Sequence, residues 1–576
     1  MIKKLSVYVG QYRRWAILAP VLVIVEVLCE IVMPRLMAAI VDVGIAHSDM
    51  GYILRVGALM MLLAAVGMFC GVVSAKAASI AGQGFGANLR DAMFRKIQDF
   101  SFADIDRFSS GSLITRMTND VNAIQLTVSM GMRIITRAPV MLIAALAMAA
   151  SINGRLALVM LAVIPVMVLA IGLIMKVCNH LFEVTQQKID NLNSTVQENL
   201  VAVRVVKAFV RAGYEKTKFK TANDELTQAG IQVAMRIVMI MPVMTLSLNL
   251  ATVAVLYLGG VQVMDGTMLY GDLSSFLNYI FQILMSVMMV AMSLLQLSRA
   301  AACGRRIIEV LDTQPDIQDR KQDGAPALPP ARGGVEFRDV SFKYRSAGSG
   351  DDVLSHLSFR VEPGQFTAIV GGTGVGKSSL VNLIPRFYDV TGGSVRVDGV
   401  DVRDYPLEEL RRRIGMVLQS NILFSGTIRE NLLWGKEDAT EEELIRAAKD
   451  AQAYDFIMSF PDGFDTRIDQ GGVNVSGGQK QRLCIARAML KKPAVLILDD
   501  STSAVDSATE AAIRESFAKI WRGPRLLSLP SASPRCSTPI RFWCWTTARW
   551  WAAAPMRSCC GPTPSIRKSI SLSRKG

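Results

Sequence analysis

Phe366-Thr367-Ala368-Ile369-Val370 runs straight into Gly371-Gly372-Thr373-Gly374-Val375-Gly376-Lys377-Ser378, and Ser379-Leu380-Val381-Asn382-Leu383 follows. An apolar strand, a loop with the spacing GxxxxGK[ST] and a helix-compatible run stand in the order needed to wrap a polyphosphate. The glycines let successive backbone N–H groups curl around phosphate oxygens, and the helix N-terminus behind them adds its positive dipole end. Lys377 offers a point charge to the terminal phosphates, and Ser378 a hydroxyl to magnesium. The stretch predicts an α/β P-loop domain.

Two further elements downstream agree with it. Ala494-Val495-Leu496-Ile497-Leu498-Asp499 reads as a buried strand ending in an acid, where a parallel-sheet P-loop protein holds its magnesium. Before it, Val475-Ser476-Gly477-Gly478-Gln479 precedes a helix-compatible run, which makes Ser476-Gly477-Gly478 a second anion cradle. Upstream, residues 311–334 carry Gln314-Pro315, Pro329-Pro330 and Gly333-Gly334 among charged residues and read as a linker.

Residues 1–310 have a different composition. The chain of 576 residues is 51% hydrophobic and 19% charged, below the ~25% charged share usual for soluble proteins. Six stretches reach the ~20 apolar residues that span a bilayer: roughly 15–41, 52–75, 135–153, 156–178, 237–260 and 273–297. Long amphipathic inserts, too polar for lipid, separate the second stretch from the third and the fourth from the fifth. Their many lysines and arginines, against none from 237 to 298, place the N-terminus and both inserts in the cytoplasm by the positive-inside rule. The expected fold is an all-α six-span membrane domain followed by the P-loop domain.

Glu26 and Glu30 stand one turn apart in the first span. A carboxylate pair there is either a functional site or a pair turned toward another helix or a wet cavity, with Arg35 as a partner. Residues 1–300 hold 26 of the 30 methionines, which suits either ordinary packing or a wall that adapts to varied apolar ligands. The net charge of +14 sits largely in residues 522–576, which have ten Lys/Arg and no acid. The rest of the chain therefore gives no reason to expect a nucleic-acid partner. The nine cysteines form no zinc-type pair of CxxC motifs.

With these motifs in place, residues 1–521 resemble an ATP-binding cassette exporter of the half-transporter kind. The resemblance implies a membrane domain at 1–310, a linker at 311–334 and a nucleotide-binding domain at 335–521, in a multi-pass protein of the plasma membrane with its nucleotide-binding domain in the cytoplasm. It implies ATP and Mg²⁺ as cofactors, and a second half-transporter whose cassette closes head to tail on this one. Gly371, Gly372, Thr373, Gly374, Val375, Gly376, Lys377, Ser378 and Ser379 would then hold the phosphates of one ATP, against Ser476, Gly477, Gly478 and Gln479 of the partner chain. Tyr344 matches the aromatic that stacks on adenine. Gln419 matches the glutamine that reaches magnesium and the attacking water, and Ser378, Gln419 and Asp499 form the metal set. Phe108 to Arg116 and Glu198 to Lys207 resemble the two cytoplasmic coupling segments. The cargo class left open is a small molecule, a lipid or a peptide. A soluble cassette protein is disfavoured by the six spans.

Two positions depart from the family. Efficient exporters have Glu directly after the acid of the apolar strand, where this chain has Asp500, so catalysis would rest on Asp500, Gln419 and Lys377. No histidine follows Asp499, which removes the family's switch residue. Both features resemble one member of a heterodimeric exporter with a degenerate ATP site.

Residues 522–576 contain seven prolines, four cysteines and four tryptophans, the composition of a chain read in a wrong frame. Back-translation in the shifted frame turns Trp543-Cys544-Trp545-Thr546 into Leu-Val-Leu-Asp, and it permits Asp-Gly at 547–548 before a second apolar run. That spells a hairpin. The expectation is a frameshift near Trp521, a poorly packed tail, and an exposed edge on the strand at 494–498. The alternative function is then a non-functional product of a damaged exporter gene.

Overall fold

The computed structural model describes residues 2–319, 328–344, 352–371 and 374–499, with 509, 512–513, 515–516, 525–528, 541–546 and 549–554. The chain forms two compact units, Met1–Gln98 with Gly111–Thr313, and Asp99–Ser110 with Gln314–Gly576.

The first unit is helical throughout its main elements, because in lipid only a helix or a closed barrel satisfies its own backbone polar groups. Among the described residues, six helices are long and apolar enough to cross a membrane. The principal segments are α1 (Arg13–Ala39), α2 (Met50–Gln98), α4 (Thr136–Ile152), α5 (Gly154–Val201), α7 (Ala212–Val238) continuing into α8 (Ile240–Met264), and α9 (Tyr270–Asp312). The polar inserts are helical continuations of the spans. At 1.5 Å per residue α2 and α5 are each more than ~70 Å long, over twice the ~30 Å hydrocarbon core.

Small and large side chains alternate in the bundle core. Val23, Val27 and Ile31 of α1 pack with Ala145 and Ala149 of α4 and with Phe276, Tyr279 and Ile283 of α9, the one-turn spacing that puts each set on one helix face. The alanines let the backbones come close. Pro34 lacks the N–H that would continue the helical ladder, and α9 supplies side-chain donors nearby. Tyr279 Oη donates to the Ile31 carbonyl at 2.8 Å, and Ser275 Oγ to the Pro34 carbonyl. Gly271 N–H donates to Asp42 Oδ1 at 2.7 Å, so α9 is tied to α1 and its continuation by three hydrogen bonds.

Arg35 is not the partner of the carboxylate pair. Arg137, on α4, donates to Glu26 at 2.6 Å and also to Glu30. The third membrane helix carries the counter-ion, and sequence proximity to Arg35 misleads because helix rotation decides which side chains meet.

The second unit holds the cassette. Strands β1 (Val335–Phe342), β2 (Leu354–Val361), β4 (Gly392–Val397) and β5 (Val400–Asp401) form an antiparallel sheet in the order β2-β1-β4-β5. A second sheet contains β3 (Phe366–Gly371), β6 (Ile414–Val417) and β9 (Val495–Asp499). A short pair, β7 (Gly426–Thr427) and β8 (Arg467–Ile468), stands apart from both. Residue alternation on β9 joins two cores. Val495 and Ile497 enter a cluster with β1, β2 and the helix after the P-loop, whereas Leu496 and Leu498 enter one with Leu432, Leu444, Leu483 and Ile485.

The tail supplies three more strands, β10 (Arg525–Ser528), β11 (Arg541–Thr546) and β12 (Arg549–Ala554), and the sheet runs β12-β11-β3-β10-β9-β6. The expected bare edge on β9 is therefore filled. Leu526 pairs with Ile497 on one side and with Thr367 on the other. These segments pair as strands, because strand pairing is made by the backbone and tolerates many side chains. Thr546 pairs with Arg549; positions 547–548, where the shifted frame permits Asp-Gly, lie outside the described residues. The rest of the tail lies outside the described residues.

Gly271 offers a direct check on the bundle. A Cβ there would stand 2.7 Å from the Ala38 carbonyl oxygen and 2.6 Å from Asp42 Oδ2. Gly271→Val is expected to separate α9 from α1 and to lower stability by about 1–3 kcal/mol, read as a drop in the melting temperature of the purified membrane protein. An unchanged melting temperature contradicts the packing.

Candidate nucleotide site

The P-loop lies between β3 and helix α10 (Lys377–Leu383). Gly374 and Gly376 have φ of +78° and +90°, the left-handed region that glycine enters without a Cβ penalty. At Gly376 a Cβ would also press on Leu354 at 3.0 Å and Val353 at 3.1 Å, whereas nothing lies within 4 Å of one at Gly374. Among the described residues, the loop is thus held at Gly376 and open at Gly374. Lys377, Ser378 and Ser379 form the first turn of α10, whose N–H groups have no intrahelical acceptor and suit an anion. Gly371 ends β3, and Gly372 and Thr373 lie outside the described residues.

Parallel pairing brings the acid to the same end of the sheet. Ser528 of β10 pairs with Ile369 on one side and Asp499 on the other, so Asp499 ends a strand two places from β3, about 10 Å across at the usual strand spacing. Asp499 is buried at 5% exposure. Gln419 is exposed two residues beyond β6, the strand on the far side of β9. Asp500 lies outside the described residues.

Tyr344 sits beside the loop. Its hydroxyl shares a 2.9 Å hydrogen bond with Ser379 Oγ, and its ring meets Phe342 and Tyr388 edge-on at 4.9 and 5.2 Å. The structure places Tyr344 beside Ser379 of the P-loop helix and adds Tyr388, which sequence reading did not name.

Tyr388 donates to Asp106 Oδ2 at 2.8 Å, and burial together with that bond pushes its phenol well above the usual range. Asp106 belongs to α3 (Phe102–Phe108), a helix that lies between membrane segments in sequence yet is part of the second unit. Ser101 and Asp104 form a reciprocal capping box at its start, and Asp104 also accepts from the Asp316 backbone at 3.2 Å. Phe102 packs on Phe387 at 4.5 Å, and the Arg411 guanidinium covers Phe387 at 5.6 Å. The α3 residues that meet Phe387 and Tyr388 are Phe102 and Asp106, which sequence reading did not name. The signal was Arg386-Phe387-Tyr388-Asp389, an aromatic pair just after the P-loop helix.

Ser476, Gly477, Gly478 and Gln479 open α11 (Gly477–Leu490). Ser476 Oγ accepts from the Gln479 N–H at 3.3 Å, and the Ser476 N–H donates to Gln479 Oε1 at 2.8 Å. This capping box satisfies two backbone donors and leaves the glycine N–H groups at the helix end. α11 is packed in the core opposite to that of α10. The two anion cradles thus belong to different halves of the cassette. The second predicted coupling segment joins the end of α5 to α6 (Val203–Ala208), where Leu200, Val201, Val205, Phe209 and Val210 are all exposed.

Comparison with known proteins agrees with this architecture. Residues 16–287 match the ABC transporter transmembrane region, and residues 354–503 match the ABC transporter domain. An uncharacterized ABC transporter ATP-binding protein of Bacillus subtilis (strain 168) is 38% identical over 90% of this chain and 89% of its own length. An ATP-dependent lipid A-core flippase of Syntrophus aciditrophicus (strain SB) is 34% identical over 79% and 74%. A fatty acid ABC transporter ATP-binding/permease protein of Mycobacterium bovis is 35% identical over 75% and 68%. The chain belongs to the ABC transporter family, as an exporter half-transporter with a multi-pass membrane domain and a cytoplasmic ATPase domain in one polypeptide.

Proposed function

We infer that this chain exports a small or amphipathic molecule as one half of a heterodimer, and that its own catalytic position is the weaker of two. The observation that carries the export reading is the joining of six membrane helices to a P-loop cassette in one polypeptide. Relatives named for lipid A-core and for fatty acids support an amphipathic cargo.

The separation of the two anion cradles supports a pair of cassettes, with each ATP held by one cradle from each chain. The exposed apolar residues from Leu200 to Val210 form a patch of the kind that marks a protein contact, and a second half-transporter is the occupant this reading gives it. MgATP fits the residues present. The open glycine turn and the first turn of α10 would receive the phosphates, Tyr344 the adenine, and Ser378, Gln419 and buried Asp499 the magnesium. Bound magnesium would neutralise phosphate charge during hydrolysis.

Asp500 is one carbon–carbon bond shorter than the Glu usual at this position, which withdraws the carboxylate by roughly 1.5 Å. A misplacement near 1 Å costs on the order of 100-fold in rate. Nucleotide binding, which depends on the loop, is then better preserved than turnover. A second reading, a damaged gene product, is favoured by the acid-free tail with its seven prolines. Resequencing around codon 521 decides it, since a restored frame replaces residues 522–576.

Lys377→Ala is expected to abolish MgATP binding measured by titration, and an unchanged affinity overturns the site assignment. In a dimer made of this chain alone, Asp500→Glu is expected to raise ATP turnover by up to about 100-fold. Full turnover in the unsubstituted homodimer contradicts the degenerate-site reading.

A further inference from the structure

A cavity of about 470 Å³ lies in the membrane unit, with Glu26, Glu30 and Met33 of α1, Leu63 and Val72 of α2, and Arg133 on its walls. Gly71 makes the carboxylate side possible. A Cβ there would stand 3.3 Å from the Glu26 carboxyl group, so any larger residue crowds it.

The charges on these walls do not cancel locally. Glu26 and Glu30 share the single guanidinium of Arg137, which leaves one surplus negative charge when both acids are ionised. Arg133 precedes Arg137 by one helical turn and lines the same cavity. Among the described residues it has no hydrogen-bond or ion-pair partner. The cavity therefore has a negative side, a positive side and an apolar remainder. A purely cationic guest leaves Arg133 unmatched and a purely anionic one leaves the surplus carboxylate unmatched, whereas a guest that carries both charges matches each.

We propose that this cavity binds the head group of a zwitterionic amphiphile, with its cationic group at Glu30, its anionic group at Arg133 and its chain against Met33, Leu63 and Val72. Glu30 takes the cation because its side chain is 41% exposed, against 20% for Glu26. The site names a substrate class for the export reading above and rests on that reading for its role, although binding itself needs no nucleotide.

The test uses the full chain in a non-ionic maltoside detergent, titrated calorimetrically with decylphosphocholine, decyltrimethylammonium and decyl phosphate below their micellar concentrations. Decylphosphocholine is expected to bind about tenfold more tightly than either singly charged probe. Arg133→Gln should remove that advantage and leave decyltrimethylammonium binding as it was, and Arg133→Lys should restore it. Glu30→Gln should shift the preference toward decyl phosphate. Arg133 is exposed, so its variants test the site even where Glu30→Gln fails to fold. Equal binding of the three probes, or an Arg133→Gln variant that keeps the full preference, overturns the proposal. Absence of MgATP binding in the unsubstituted chain overturns the export reading and leaves the probe affinities unaffected. Indifferent probes with ATP binding intact overturn the zwitterion site alone.

Discussion

Everything in the cassette depends on β9 being buried on both faces. A parallel strand covered on each side alternates its side chains between two cores, and here Val495 and Ile497 serve one while Leu496 and Leu498 serve the other. That one strand fixes the P-loop half and the half containing α11 to the same sheet, and it delivers Asp499 to the end where β3 meets its glycine loop. A one-residue slip would exchange the two sets of side chains and move the acid by one position. The chemistry of the site is therefore a consequence of register.

The membrane unit obeys a different constraint. Backbone groups are satisfied within each helix, so the freedom that remains is in how close the helices come and in which polar side chains meet. Glycine and alanine set the first, at Gly71, Ala145, Ala149 and Gly271, and these same contacts determine the second. Arg137 meets Glu26 because α1, α2 and α4 approach closely enough to bring a guanidinium between two carboxylates. A part-buried ion group of this kind contributes little net stability compared with apolar packing, but breaking it leaves a charge without a partner.

Helix α3 shows how a short segment joins the second unit although its sequence neighbours belong to the first. Its capping box holds it as a helix at only seven residues, and Phe102 and Asp106 attach it to Phe387 and Tyr388. Tyr388 also touches Tyr344, which bonds Ser379 in the first turn after the P-loop. Aromatic rings and two hydrogen bonds thus connect α3 to the edge of the nucleotide site, with no residue more than one contact from the next.

The sequence by itself determined the features whose physics is local. Gly371 to Ser378 spells a phosphate loop because glycine, lysine and serine act within eight consecutive positions, and six apolar stretches declare membrane helices because length and hydropathy suffice. The helix start at Ser476 to Gln479 and the apolar run to Asp499 were legible for the same reason. Tertiary structure alone decided the pairings between distant residues: Arg137 with Glu26 across 111 positions, Tyr388 with Asp106 across 282, and Leu526 between Thr367 and Ile497. The sequence pointed to Arg35 as the counter-ion and to a tail without core strands. Nearness along the chain says nothing of which helix faces meet, and backbone pairing is indifferent to much of the side-chain pattern from which a strand is read.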